Sequence, residues 1–139
     1  MTHQVKLEWK GKMQFEAKVP GAVIPLDAAE AVGGEGKGSR SKPLMLTSLA
    51  GCTGMDVASL MKKMRAEADD LQIDVSGELT DEHPKYYKKV KVEYRFYGKN
   101  LKKEKLQKCV NLSVDRYCGV MEMFRQFAEI EIDVQFFEE

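Results

Sequence analysis

Three cysteines are the residues of this sequence best able to do chemistry. Cys52 lies in the segment LAGCTGMD with small residues on both sides, and Cys109 and Cys118 follow much later in the chain. The reactive form of cysteine is the thiolate, whereas an ordinary thiol with a pKa of about 8.5 is mostly protonated at neutral pH. A cysteine among small residues is about as often a simple core residue as a reactive one. Cys52 is therefore a candidate nucleophile that would need a positive group nearby.

The spacing of the other two cysteines limits which disulfides can form. On one helix, Cys109 and Cys118 would lie roughly 13 Å apart along the axis. A disulfide requires Cα atoms within about 7 Å, so these two cannot join while the helix stands. Any disulfide within the chain must include Cys52, and either of the others could be its partner. Cys118 precedes Gly119 at the predicted end of the helix, where the backbone can adjust, while Cys109 is predicted to be a packing residue.

Two charged residues could tune the thiol of Cys52. Arg40 is the only arginine before the helix that carries Cys52, so it is the candidate for lowering the thiol pKa and holding an oxygen atom of a substrate. It lies in the glycine-rich segment 32–42, which is predicted to be a mobile loop, and it could equally be a solvated loop charge. Asp56, one turn after Cys52, would raise the thiol pKa if ionised and unpaired. We expect Asp56 to anchor an arginine instead.

The elements that must position these residues follow from the spacing of apolar side chains. Alternation predicts strands, and apolar residues at helical spacing predict helices. The predicted turn Lys10-Gly11-Lys12 joins the first two strands, and Pro43 suits the first turn of a long apolar helix. The predicted strands are 5–9, 13–19, 22–26, 71–79, 90–96 and 130–136, and the predicted helices are 43–65 and 102–118.

This order, three strands, a helix, two strands, a helix and a strand, is typical of an α+β protein with mainly antiparallel sheet. The fifth and last strands are predicted to be neighbours, because opposite charges facing across a strand pair stabilise it by a few tenths of a kcal/mol each. The basic residues concerned are Lys89, Lys91 and Arg95, and the acidic ones are Glu129, Glu131 and Asp133.

The composition indicates one soluble domain, residues 1–139. The chain has 139 residues, 43% of them hydrophobic, and 22 basic against 22 acidic side chains, so it lacks the overall charge that favours nucleic acid or membrane surfaces. We expect no nucleic-acid partner and no membrane span, and we expect a cytoplasmic protein because the first twenty residues lack a signal-peptide core. A metal site is not expected, because His3 and His83 lie outside any tight cysteine–histidine spacing.

Three segments resemble the family of osmotically induced and organic-hydroperoxide-resistance proteins, and in particular its OsmC-like branch. They are LTSLAGCTGMDVASLMKKMR, DEHPKYYKKVKVEYRFYGKNL and VNLSVDRYCGV. The resemblance implies an intertwined homodimer in which mainly antiparallel sheets wrap around two long central helices per subunit, with active sites at the interface.

The resemblance also implies thiol chemistry in defence against oxidative or osmotic stress. Cys52 would attack an organic hydroperoxide and become a sulfenic acid, and Cys118 would resolve it as a disulfide. No cofactor is implied, only an external dithiol or lipoyl-type reductant. The apolar residues around Cys52 would favour lipophilic substrates; they are Met45, Leu46, Leu49 and Met55.

One position departs from the family pattern. Peroxidase members carry a glutamate near the start of the first long helix, and Pro43 stands there in this chain. Glu35 or another loop acid could replace it. Whether the chain is an enzyme therefore stays open at this point: the alternative is a non-catalytic dimer that binds a small apolar ligand in the same interface cavity. Retention of Cys52 and Cys118 favours the enzyme, and Pro43 favours the binding protein.

Overall fold

The computed structural model describes all residues, 1–139, and they form two compact units, 1–45 and 46–139. The first unit contains an antiparallel sheet of three strands, β1 (Lys6–Gly11), β2 (Gln14–Val19) and β3 (Ala22–Leu26). The predicted hairpin turn is confirmed, with Gly11 and Lys12 at positive φ angles of 101° and 49°. Glycine adopts this region without steric cost, so the sequence encodes the turn directly.

The segment after β3 is folded around one buried carboxylate. Asp27 is only 5% exposed and accepts backbone hydrogen bonds from Ala28, Glu35 and Lys37 at 2.8–3.0 Å. These bonds, led by that of Lys37, lower the pKa of Asp27. A short 3-10 helix, Glu30–Val32, lies in the same segment. The predicted mobile loop thus has a defined conformation, because a carboxylate replaces the apolar contacts that the segment lacks.

The second unit is built on the sheet β4 (Asp70–Leu79), β5 (Tyr87–Gly98) and β6 (Glu129–Glu138), in that order. The predicted pairing of β5 with β6 is confirmed, and Lys89 and Lys91 lie opposite Glu129 and Glu131. The two strands are parallel, however, whereas β4 and β5 are antiparallel. A parallel pair cannot be joined by a hairpin, so residues 99–128 form a crossover connection.

The charge pairing is wrong at one position. Asp133 lies opposite Glu93 rather than a basic residue, and Arg95 lies opposite Gln135. Glu93 is neutralised along its own strand, by Lys91 at 3.0 Å and Arg95 at 3.2 Å. The sequence of β5 explains the difference: Glu93 stands between Lys91 and Arg95, so three successive acidic positions of β6 cannot all face basic residues.

The first long helix, α1 (Pro43–Lys63), begins at the predicted residue and ends two residues earlier than predicted. Its buried residues Leu49, Thr53 and Val57 recur every fourth position and form one stripe. They contribute to the core together with the alternate residues of β5; those of β5 are Val90, Val92, Tyr94 and Phe96.

The predicted second helix, 102–118, consists of α2 (Lys103–Leu112) and a π-helical turn (Ser113–Tyr117). A further helix that was not predicted, α3 (Gly119–Arg125), follows it. Cys118 donates its backbone N–H to Ser113 O, five residues back, at 2.8 Å, and itself has extended geometry with φ −77° and ψ 102°. The break therefore falls at Cys118, one residue before the predicted break at Gly119.

Helix α1 is largely uncovered within the chain. It is long and apolar enough to cross a membrane by length and composition alone, and only 17% of its apolar window is buried. Soluble core helices meet the same criterion.

The α+β class is confirmed, with three α-helices and two sheets.

Candidate functional site

Three potential reactive groups converge between α1 and the break before α3. The Cys52 Sγ, a carboxylate oxygen of Asp56 and the Cys118 Sγ all lie within 4.8 Å of one another. Cys52 and Asp56 are four residues apart, which places them on one face of α1. Cys118 reaches the same face because the helical backbone is interrupted there. The structure thus brings Cys118, and not Cys109, to Cys52.

Cys109 is a packing residue, as predicted. It is fully buried, and its thiol lies 3.7 Å from the Met64 sulfur. Burial raises the pKa of the Cys109 thiol.

The two clustered cysteines have different environments. Cys118 is 3% exposed, while Cys52 is half-buried at the edge of the core. Burial, followed by the hydrogen bond with Cys52, raises the pKa of Cys118 to about 12, although the Met121 N–H, 3.3 Å from the sulfur, acts in the opposite sense. Cys118 is thus a thiol at neutral pH, and Cys52 is the more accessible of the two sulfurs.

A chain of buried hydroxyls supports the cluster. Ser113 donates to the Asp56 carboxylate at 3.0 Å and shares a 2.7 Å hydrogen bond with Thr53, whose hydroxyl is 2.8 Å from that of Tyr94. Thr53, Ser113 and Tyr94 are all fully buried. Burial raises the pKa of Tyr94 to about 12. The expectation that Asp56 anchors an arginine is wrong within the chain, since Ser113 holds it.

Sequence reasoning missed these hydroxyls as functional candidates. Thr53 and Tyr94 each occupy an apolar stripe, of α1 and of β5, where a polar atom must find a partner. That was the available signal. The partners themselves could not be inferred, because they come from three different elements.

Arg40 is exposed and lies in the N-terminal unit, where it lines a cavity of about 690 Å³ together with Ala31, Gly36 and Pro43. Its role toward Cys52 stays a prediction. Glu35, the suggested substitute for the family's glutamate, is held by Lys12 at 3.4 Å and by Gln14 at 3.1 Å.

The predicted apolar wall is only partly available to a ligand. Leu49 is fully buried in the core, and Leu46 is half-buried, close to the position that a side chain at Gly77 would occupy. Leu49 is therefore a core residue rather than a substrate contact, because it lies on the buried stripe of α1. Met45 and Met55 are exposed, Met55 to 76%.

A groove opens beside the cluster. It has a volume of about 390 Å³ and is lined by Asp56, Ser59, Leu60, Lys63 and Tyr117. Asp56 belongs both to the groove and to the cysteine cluster, so the groove reaches the cluster at its carboxylate. The same three donors, Cys52, Asp56 and Cys118, are also close enough together to be metal ligands.

A family model and a curated relative both match this chain. The family model described as OsmC-like protein matches residues 34–133. The chain is 26% identical over 87 residues to protein YhfA of Escherichia coli K12, a match that covers 63% of this chain and 65% of YhfA. The matched stretch thus spans 65% of the length of that curated relative.

Solved structures show the same fold along the whole chain. A protein from Aquifex aeolicus VF5 superposes with a TM-score of 0.87 at 29% identity, covering 100% of this chain and 98% of that one. The organic hydroperoxide resistance protein OhrB of Bacillus subtilis superposes with a TM-score of 0.68 at 18% identity, covering 96% and 98%. The family model spans most of the sequence and includes both clustered cysteines, which confirms the resemblance: this chain belongs to the OsmC-like protein family.

Proposed function

We propose that this protein is a thiol-dependent peroxidase that reduces organic hydroperoxides and so contributes to peroxide resistance. The observation that supports this most directly is the pairing of a half-buried Cys52 with a buried Cys118 at the break in the second helical segment. Family membership and the fold shared with an organic hydroperoxide resistance protein point the same way.

The first step takes place at Cys52. Its thiolate attacks the terminal oxygen of the hydroperoxide, the O–O bond breaks, and the alkoxide leaves as an alcohol after taking up a proton. Cys52 becomes a sulfenic acid. Cys52 suits this role because its sulfur is the accessible one of the pair, beside a groove that leads to solvent.

The second step forms the disulfide. The Cys118 sulfur attacks the Cys52 sulfur, the S–O bond breaks, and the hydroxide leaves as water with the proton from Cys118. Because the pKa of Cys118 is raised to about 12, this proton needs an acceptor. Asp56, within 4.8 Å of both sulfurs, is the group placed to pass this proton from Cys118 to the leaving hydroxide. An external dithiol, lipoyl-type or otherwise, would then reduce the disulfide.

The active protein is proposed to be a homodimer. Methionines on α1 are exposed, and so are large apolar side chains of the first unit, namely Val5, Leu7, Trp9 and Val23. Exposed apolar patches of this kind mark interaction surfaces. Arg40, from either subunit, is the proposed positive group that stabilises the Cys52 thiolate and the peroxide oxygen.

A second candidate function is supported by Pro43. The helix α1 begins at this proline, so the glutamate that peroxidase members carry there is absent. Without it, the same dimer could bind a small apolar ligand without turnover.

The test is a count of thiols and an intact mass before and after one equivalent of cumene hydroperoxide. The parent protein should rapidly lose two thiols and two hydrogen atoms by mass. Cys52→Ser should abolish the reaction, and Cys118→Ser should stop at an oxidised Cys52 without a disulfide. Cys109→Ser is the matched control and should behave like the parent.

A parent protein that reacts no faster than a free thiol would reject the peroxidase proposal in favour of the ligand-binding one.

Arg40→Ala should slow the first step more than Arg40→Lys, because Lys keeps the charge.

A further inference from the structure

The cluster of Cys52, Asp56 and Cys118 offers two thiolates and one carboxylate around a single point. Histidine spacing gave no sign of a metal site in the sequence, but the fold gathers three ligands without any histidine. We propose that the reduced protein binds Zn²⁺ through the Cys52 and Cys118 sulfurs and the Asp56 carboxylate.

The ligand geometry suits a tetrahedral ion. Zinc binds sulfur at about 2.3 Å and carboxylate oxygen at about 2.0–2.2 Å, so ligand atoms around it lie roughly 3.3–3.8 Å apart. The three donor atoms lie within 4.8 Å of one another. Small side-chain rotations would bring the three donor atoms to the separation that zinc requires. Two of the donors, Cys52 and Asp56, are four residues apart on α1, the spacing at which a helix presents two ligands to one ion.

Two hydrogen bonds from residues that do not bind the ion orient the ligands. Ser113 donates to one oxygen of Asp56 at 3.0 Å, and the Met121 N–H donates to the Cys118 sulfur at 3.3 Å. Such outer partners fix a ligand's orientation and increase metal affinity. Ser113 is itself held by Thr53 at 2.7 Å, so the position of Asp56 is determined by the core.

A divalent ion offsets two of the three negative charges of the ligands. Binding displaces the protons of two thiols and leaves two thiolates, one carboxylate and Zn²⁺, with a net charge of −1. The groove beside Asp56, lined also by Ser59, Lys63 and Tyr117, would let water reach the fourth position.

The donor set favours zinc over other common ions. Two thiolates exclude Mg²⁺ and Ca²⁺, which prefer oxygen, while the carboxylate adds nothing for Cu⁺, which prefers sulfur. The contribution of Asp56 therefore distinguishes a three-ligand zinc site from capture of a soft ion by the cysteines alone.

One consequence rests on the proposed peroxidase function. The zinc complex, one hydroperoxide and two protons would give the Cys52–Cys118 disulfide, free Zn²⁺, an alcohol and water. Bound zinc would thus be released when the pair is oxidised. Binding itself requires no peroxide, so the two proposals can fail separately.

The experiment titrates metal-free, fully reduced protein with Co²⁺, followed by the thiolate-to-cobalt charge-transfer band, and then displaces Co²⁺ with Zn²⁺. The parent should bind one ion per chain. Cys52→Ser and Cys118→Ser should each weaken binding by more than about 100-fold, because loss of an outer partner alone costs about 10- to 100-fold. Ser113→Ala should fall within that range, and Cys109→Ser should match the parent.

Asp56→Asn is the decisive variant, because asparagine can still accept the hydrogen bond from Ser113. Weaker Zn²⁺ binding by about 10-fold or more supports the three-ligand site. Unchanged binding in Asp56→Asn, or equal binding in the parent and the Cys52→Ser/Cys118→Ser double variant, overturns it. If zinc binds but hydroperoxide leaves the thiols intact, the metal site stands and the peroxidase proposal falls.

Discussion

At the scale of single residues, the site depends on the different burial of two cysteines. Cys118 is enclosed and held as a thiol, while Cys52 reaches the edge of the core. The accessible sulfur can meet a substrate, and the buried one can meet only its neighbour. This asymmetry assigns the order in which the two would react.

The raised pKa of Cys118 predicts a pH dependence of stability. In the unfolded chain the Cys118 thiol has the ordinary pKa of 9.0, whereas in the folded protein its pKa is about 12. Between these values the folded state binds more protons, so the free energy of unfolding should fall as pH rises from about 9. Urea unfolding between pH 7 and 10.5 checks this, and Cys118→Ser should flatten the curve. An equal decline in both proteins would contradict the assignment.

The buried hydroxyl chain predicts a cost for Thr53→Val. Valine preserves the shape but removes the partner of the Tyr94 hydroxyl, and an unsatisfied buried hydroxyl costs about 1–3 kcal/mol. Chemical denaturation measures the change. Thr53→Ser is the control: it retains the hydroxyl and loses only a methyl group. If the valine variant is as stable as the parent, water has replaced the bond.

The sequence predicted the cysteines of this site but not the residues that surround them. Small neighbours and the helix end before Gly119 were enough to single out Cys52 and Cys118. Ser113 and Tyr94 were not identified, because their importance depends on contacts between residues far apart in the chain. Leu49 was misjudged for a related reason: an apolar residue beside a nucleophile can face the core as easily as a ligand.

At the scale of elements, the two glycines flanking Cys52 differ in their surroundings. A Cβ added at Gly51 would meet no atom within 4 Å, whereas one at Gly54 would lie 3.3 Å from Ile73 Cδ1. Glycine is unfavourable inside a helix, and it is tolerated where another element approaches closely or where open space beside the helix is needed. The structure shows close approach at Gly54 and open space at Gly51.

This difference predicts different results for two alanine substitutions. Gly51→Ala should raise the free energy of unfolding by about 0.5–1 kcal/mol, the usual gain in helix propensity. Gly54→Ala should bring no net gain, because Ile73 must shift. Urea unfolding of both variants gives the comparison. Destabilisation by Gly51→Ala would indicate that a partner subunit fills the space beside it.

Element boundaries were predictable where local signals exist. The hairpin turn at Gly11 and the start of α1 at Pro43 follow from backbone preferences of single residues. The π-helical turn and the parallel direction of β6 do not, because they depend on how residues 99–128 cross the sheet. Neighbouring strands could be inferred from charge, but charge alone carries no information about direction.

At the scale of the whole molecule, the balance of 22 basic and 22 acidic side chains leaves apolar surface as the main basis for association. Met55 is 76% exposed on α1, and Met123 is 64% exposed on α3. The proposed dimer uses the face of α1, so these two methionines make a matched pair of probes.

Met55→Glu should weaken the dimer, since an unpaired charge in an apolar interface costs about 2 kcal/mol or more, a rise in Kd of roughly thirtyfold. Sedimentation equilibrium measures the change. Met123→Glu should leave the Kd within about threefold of the parent, because one exposed charge on α3 adds no unpaired buried group. A monomeric parent, or equal effects of the two variants, would reject the interface on α1.

The crossover that carries Cys118 also has a consequence for the order of events at the ribosome. The β4–β5 hairpin pairs residues close in sequence and can form as soon as β5 has emerged, whereas β6 must wait for the entire connection. Cys118 lies within that late connection, and Cys52 lies well before the hairpin. A nascent chain therefore carries Cys52 without its partner for much of its synthesis, during which an oxidant would meet a single unprotected thiol.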